Sequence, residues 1–240
     1  MFDRTLRNHG NPCDGRAGTA APAWGDATTG PDDAPAGDML QCEAVSIDAL
    51  AARLEEGDLV FIRIPVKLFL KVATATGSWS NHVGVVINTR GKEPLIAESK
   101  FPLSRTTTLS RLVARSQDGR LAVARLAAPP TPGQKERLLI AAQRRLGIFY
   151  DTGFDLHSRR QFCSRYAREV LAEATGVQVG EVETFAALLA RQPDTDLNFW
   201  RLWYFGKIPW KRETVTPASL LRSPALQTVF DGAVTTRRAR

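Results

Sequence analysis

Trp79-Ser-Asn-His-Val-Gly-Val-Val-Ile87 is a polar approach to a short apolar run, and Phe162-Cys-Ser-Arg-Tyr-Ala-Arg-Glu-Val-Leu-Ala-Glu-Ala174 is a helical pattern that opens on a cysteine. Val83–Ile87 has the length and composition of a buried strand. Asn88-Thr-Arg-Gly91 reads as its turn and Leu95-Ile-Ala-Glu-Ser99 as the returning strand. In the second segment Tyr166, Ala167, Val170, Leu171 and Ala174 recur on one helix face, and Gly176 supplies the stop. A strand and an amphipathic helix therefore each begin on a chemically active side chain, His82 and Cys163.

Working outward, Ser46 caps a helical pattern to Leu54, and Gly57-Asp58 turns into the β-rich run Leu59-Val-Phe-Ile-Arg-Ile64. Pro65 opens an amphipathic segment to Thr76, with Val66, Phe69, Leu70 and Ala73 on one face. Leu121–Leu126 is a further strand, Thr131-Pro132 caps a helix through Leu146, and Glu183–Arg191 is a shorter helix. The fold class expected is α+β: a helix, a largely antiparallel meandering sheet, then grouped helices.

The 240 residues are 43% hydrophobic and 24% charged, ordinary values for a globular chain with a sizeable core. The longest apolar stretch, Leu59–Ala73, is broken by Arg63, Lys67 and Lys71, so no transmembrane helix is expected. Met1-Phe-Asp-Arg4 has no signal-peptide character. Cys13, Cys42 and Cys163 are odd in number and lack CxxC spacing, which excludes a disulfide framework and a zinc knuckle built from them alone. These features imply a reducing, cytoplasmic setting, with no metal or cofactor. Twenty-three of residues 14–38 are Asp, Gly, Ala, Thr or Pro. Such a segment cannot bury enough apolar surface to order itself. Residues 1–40 are read as a disordered tail or a start placed upstream of Met39, 41–232 as the folded domain, and 233–240 as a basic tail.

The net charge of +7 is uneven, −3 over residues 1–40 and +5 over 205–240. A basic chain suits anionic partners, but no helix-turn-helix, zinc-finger or RNA-recognition signature is present, so no specific nucleic acid is expected. His9 falls in the tail and His157 in a polar loop, which leaves His82 as the histidine aimed from a strand end. Cys163 lies in the first turn of its helix, where unpaired N–H groups favour thiolate and could line an oxyanion hole. Glu98 shares the face of Ile96 by strand alternation, and a carboxylate there would orient a histidine.

Gly57-Asp-Leu-Val-Phe61, Trp79–Ile87, Ala97-Glu-Ser99, Tyr150-Asp151 and Phe162-Cys-Ser164 occur in a fixed order. That set resembles the YiiX/YebB-like permuted papain-type cysteine hydrolases of the NlpC superfamily, over about residues 54–230. The resemblance implies a small antiparallel β-barrel-like sheet packed on helices, with histidine preceding cysteine in the chain. It makes Cys163 the nucleophile, His82 the general base, Glu98 the orienting residue and Tyr150 an aromatic neighbour of the site. Relatives usually place tyrosine before the cysteine; Phe162 stands there in this chain and lacks the hydroxyl.

Leu197–Arg212 holds six aromatic and four basic residues and no acid, a composition suited to an anionic amphiphile or a membrane interface. Trp203 and Trp210 from this stretch, with Trp79 and Phe162, are the expected substrate contacts. The leading expectation is an amide-cleaving cysteine hydrolase acting on a peptide, including cell-wall peptide. A thiol acyltransferase or lipid hydrolase with peripheral membrane contact comes second, and a silent binding module third. Nothing in the sequence fixes the oligomeric state.

Overall fold

The computed structural model describes residues 45–235. Expectations about residues 1–40, including His9, Cys13 and Cys42, lie outside the described residues, as do residues 236–240.

The described residues open with β1 (Val45–Ser46) and α1 (Ile47–Ala51), where the Ser46 side chain accepts the Ala49 N–H as an N-cap. Then come β2 (Leu59–Ile62), α2 (Lys67–Ala75), β3 (His82–Asn88), β4 (Leu95–Glu98), β5 (Arg105–Thr108), α3 (Leu109–Val113) and β6 (Arg120–Leu126). The remainder comprises α4 (Pro132–Gln143), α5 (Cys163–Thr175), β7 (Glu183–Thr184), α6 (Phe185–Ala190), α7 (Leu197–Trp203), β8 (Glu213–Thr214), α8 (Pro217–Leu221) and β9 (Leu226–Thr235). Thr131 and Gln134 close a capping box on α4, and Gly176 ends α5 in the left-handed region at φ 80°.

Seven strands form one curled, half-barrel sheet in the order β1-β9-β6-β2-β3-β4-β5. All neighbours pair antiparallel except β1 with β9. Both faces are covered. Leu59, Phe61, Val83, Val85, Ala97, Ala122 and Ala124 pack with α4 and α5, while Val60, Ile62, Val86, Ile96, Leu121 and Val123 pack with α1 and α3. The α5 side uses three alanines, and small side chains let a helix approach a sheet closely. A third apolar cluster, around Ala75, Phe185, Trp200 and Ile208, joins α2, α6 and α7.

The α+β class and the antiparallel sheet on packed helices match the expectation. The differences are local. Strand β5 reads Arg-Thr-Thr-Thr and sits at the sheet edge, held by backbone pairing to β4 rather than by an apolar face. Strand β9 is interrupted by a register shift opposite Val123/Ala124, which breaks the alternation that would reveal it. It runs to Thr235, and Val234 is buried, so ordered sheet extends past the boundary drawn at 232. Val66, placed on an inward face by the sequence, is exposed because the helix begins only at Lys67.

Candidate active site

His82 begins β3 opposite Ile62 of β2. The residue before it is pinned: the Ile64 N–H donates to Asn81 Oδ1 (2.7 Å), and Asn81 Nδ2 donates to the Ile64 carbonyl (3.0 Å). Glu98 ends β4 on the side of Ile96. Room for both comes from Gly84, where a Cβ would stand 2.5 Å from the Ile96 methyl and 3.5 Å from Glu98 Cβ. Cys163 starts α5, whose first turn is anchored by the Ser164 hydroxyl donating to the Val215 carbonyl (2.8 Å). The segment before it is tied down by Gln161. Its carbonyl accepts the Ser99 hydroxyl (2.9 Å) and its amide donates to Ser104 Oγ (2.8 Å) and the Arg145 carbonyl (2.7 Å). A parallel bridge between Gln161 and Tyr150 carries the tyrosine into the same site.

The 80 residues between His82 and Cys163 are thereby folded back to bring four side chains together. His82 Nε2 donates to Glu98 Oε2 at 2.5 Å, with both side chains buried. His82 Nδ1 has no hydrogen-bond partner among the described residues, which leaves it as the ring nitrogen able to serve the thiol. The Tyr150 hydroxyl donates to Cys163 Sγ at 3.9 Å. It supplies from another segment a hydroxyl that Phe162 lacks. Phe162 is buried and packs edge-on against Phe154, with ring centroids 5.9 Å apart.

Charge stabilises this arrangement as an ion pair. Burial by itself would lower the His82 pKa, but negative charge on Cys163 and the hydrogen bond to Glu98 raise it from 6.5 to about 9. Burial pushes the Cys163 thiol up. The His82 imidazolium, the Val83 N–H and the Tyr150 hydroxyl outweigh it, and the net shift is downward. Burial likewise works against an ionised Glu98, yet His82 and then Arg115 bring it down from 4.5 to about 2. Arg115 Nη2 donates to both Glu98 oxygens, at 2.6 and 2.8 Å. Sequence reasoning missed Arg115. It follows α3 in a segment without motif or periodicity, and only the pairing of β4 with β5 and the turn into α3 bring it back.

The signs set the pH behaviour. Stability from Glu98 is fully present above 4.5 and is lost as pH falls through about 2. Stability from His82 is fully present below 6.5 and is lost as pH rises through about 9. An imidazolium is needed to protonate a leaving amine, so a turnover–pH profile should have its alkaline limb near 9. A limb at the ordinary histidine value would mean that the thiolate–imidazolium pair does not form.

A narrow cavity opens beside Cys163. About 50 Å³ of it is wide enough for the centre of a water molecule. Phe69 and Val72 of α2, Leu188 and Leu189 of α6, and Trp200 and Tyr204 at α7 make much of its wall. Of the four expected substrate contacts, Phe162 lines this cavity and the three tryptophans do not. Trp79 lies under the Arg120 guanidinium, 4.6 Å from the ring centroid. Trp203 stacks on Phe199 and donates to the Thr152 carbonyl (3.0 Å). Trp210 faces solvent. The reason is helical phase. One face of α7 turns Trp200 and Tyr204 inward, so Trp203 must lie on the flank. His157 is exposed and meets Glu213 at 2.7 Å, away from this constellation.

A buried cysteine at a helix start, a histidine on the neighbouring sheet and a carboxylate behind it define a cysteine hydrolase on a permuted papain-like fold. The sequence profile of the permuted papain-like amidases, the YaeF/YiiX or C92 family, matches residues 53–230, and the chain belongs to that family. It is therefore an enzyme of the cysteine peptidase and amidase type, which sets aside the silent binding module. The uncharacterized protein YiiX of Escherichia coli (strain K12) is 28% identical over 185 residues, 77% of this chain and 90% of its own length. A crystal structure described as metalloprotein yiiX from Escherichia coli O157:H7 superposes with a TM-score of 0.67 at 25% identity, covering 75% of this chain and 98% of that one. Among the described residues here, no group of three or more His, Cys, Asp and Glu side chains could hold a metal ion. No helix among them is long and apolar enough to cross a membrane.

Proposed function

We propose that the chain hydrolyses an amide through an acyl-enzyme on Cys163, with His82 as acid and base and Glu98 as the residue that orients it. The observation that carries this reading is the buried Glu98–His82 contact at 2.5 Å, which leaves Nδ1 without a hydrogen-bond partner among the described residues, together with the mutual charge of His82 and Cys163. The Cys163 thiolate attacks the carbonyl carbon. The Nδ1 proton of His82 goes to the leaving amine as the C–N bond breaks. Neutral His82 then takes a proton from water as it attacks the thioester, and the carboxylic acid leaves. The Tyr150 hydroxyl, kept protonated by burial and by the nearby thiolate, is a donor beside the developing oxyanion.

The cavity bears on which amide. A cell-wall peptide needs partners for its own amides and carboxylates, whereas most of this wall is aromatic and aliphatic, with Thr76, Asn81, Ser164, Thr214 and Thr216 as its polar members. A slim apolar slot suits the acyl part of an N-acyl amide or an acyl lipid. It favours that class over a polar peptide. Mass spectrometry of the protein after exposure to N-acyl amides of graded chain length and to peptides tests the assignment. A thioester adduct on Cys163 is expected from the long-chain amides. Val72→Phe should obstruct the slot and raise KM for long acyl chains by roughly tenfold or more, while the thiol stays reactive toward iodoacetamide. Adducts from peptides alone would refute the acyl assignment, and turnover without Cys163 would refute the mechanism.

A further inference from the structure

Three large apolar side chains in and after the last turn of α7 are exposed, whereas Trp200, Tyr204 and Ile208 line the cavity. Leu202 is 80%, Phe205 98% and Trp210 44% exposed. The helix stops there in a Schellman turn: the Gly206 N–H donates to the Arg201 carbonyl (2.7 Å) and the Phe205 N–H to the Leu202 carbonyl (3.2 Å). Phe205 occupies the left-handed position of that turn, at φ 51°, where glycine is the usual residue and an aromatic is strained. Folding gains nothing from this ring, which is nearly bare of contacts and held in an unfavourable backbone conformation. Its neighbours are held rigidly. Trp203 donates to the Thr152 carbonyl (3.0 Å), while Tyr204 and Arg212 donate to that of Gly153 (3.1 and 2.9 Å). Exposed Arg201, Lys207 and Lys211 alternate with these apolar residues along the chain, and no acid occurs between Leu197 and Arg212. Among the described residues neither lysine forms an ion pair.

We propose that the Leu202–Phe205–Trp210 tip, with Arg201, Lys207 and Lys211, docks the enzyme on the surface of an anionic lipid bilayer. The rings and Leu202 enter the headgroup boundary and the cations meet lipid phosphates. The basic, acid-free run Leu197–Arg212 selects an anionic bilayer over a second copy of this basic chain, whose net charge is +7. This assignment is independent of the chemistry at Cys163.

Co-sedimentation of the full chain with phosphatidylcholine vesicles, with and without phosphatidylglycerol, tests it. Binding is expected only to the mixed vesicles and should weaken with salt. Phe205→Gly relieves the strained φ, so its Tm should hold or rise, yet vesicle affinity should fall roughly tenfold through the lost ring. Lys207→Glu with Lys211→Glu should weaken binding by at least roughly fivefold per site. No binding of the native chain to mixed vesicles, or equal binding by Phe205→Gly, would overturn the proposal. So would sedimentation velocity showing a dimer that this substitution dissolves.

Discussion

Cys163→Ala is expected to remove turnover and electrophile labelling together, a fall in rate of at least about a thousandfold, while substrate still binds. The sulfur is the only nucleophile that the helix start, the Val83 N–H, Tyr150 and His82 jointly prepare. His82→Ala should cost nearly as much turnover, because the leaving amine then finds no proton donor. Its thiol should differ from that of the alanine variant. Without imidazolium the main influence lowering its pKa is gone, so labelling should persist but shift to more alkaline pH. The two side chains act as a unit, and the double variant should be little slower than Cys163→Ala alone. Steady-state turnover of an accepted amide, with iodoacetamide kinetics across pH, reads all three. Full activity in Cys163→Ala, or in His82→Ala near neutral pH, would exclude the mechanism and leave the fold untouched.

Arg115→Met should cost more stability than removing Arg115 and the Glu98 charge together. Glu98 is fully buried, and both its oxygens receive Arg115 Nη2 while one also receives His82. Losing the guanidinium leaves a buried carboxylate facing the histidine alone. Breaking such a pair costs about 3–5 kcal/mol when fully buried. The Arg115 side chain is 24% exposed, so water can partly replace it, and about 2–3 kcal/mol is expected. That should appear as a Tm lower by roughly 5–10 °C for a domain of this size. The acid limb of stability should also move up from about 2 toward 4.5, since the second cation holding Glu98 ionised is gone. Glu98→Gln keeps an acceptor for the ring N–H and should lose only part of the rate. Arg115→Met with Glu98→Gln should recover stability relative to Arg115→Met, because no uncompensated charge remains. Additive losses in that thermal cycle would show that Arg115 does not neutralise Glu98.

Periodicity alone sufficed for the central elements. The apolar run after His82, the returning Leu95–Ser99 strand, the Thr131-Pro132 cap and the one-sided helix ending at Gly176 each carry their own local signal, and each forms in the structure. The order His82, Glu98, Cys163, with Tyr150 between, was likewise legible, because the family resemblance rests on short motifs in a fixed sequence. What remained hidden depends on long-range pairing. Strand β5 is polar and acquires its conformation from the backbone of β4. Strand β9 has its alternation broken by a bulge and belongs to the sheet only through pairing with β1 and β6.

The site divides in the same way. Composition marked Leu197–Arg212 as aromatic and basic, but the rotation of α7 decided which rings face the cavity and which face water. Arg115 has no sequence signature, since a guanidinium finds a buried carboxylate through space rather than along the chain. Local chemistry, written residue by residue, determined which groups could react. Only the closure of β3, β4 and α5 around one another determined that they meet, because it is the charge each presents to the other, acting against burial, that raises His82 and lowers Cys163.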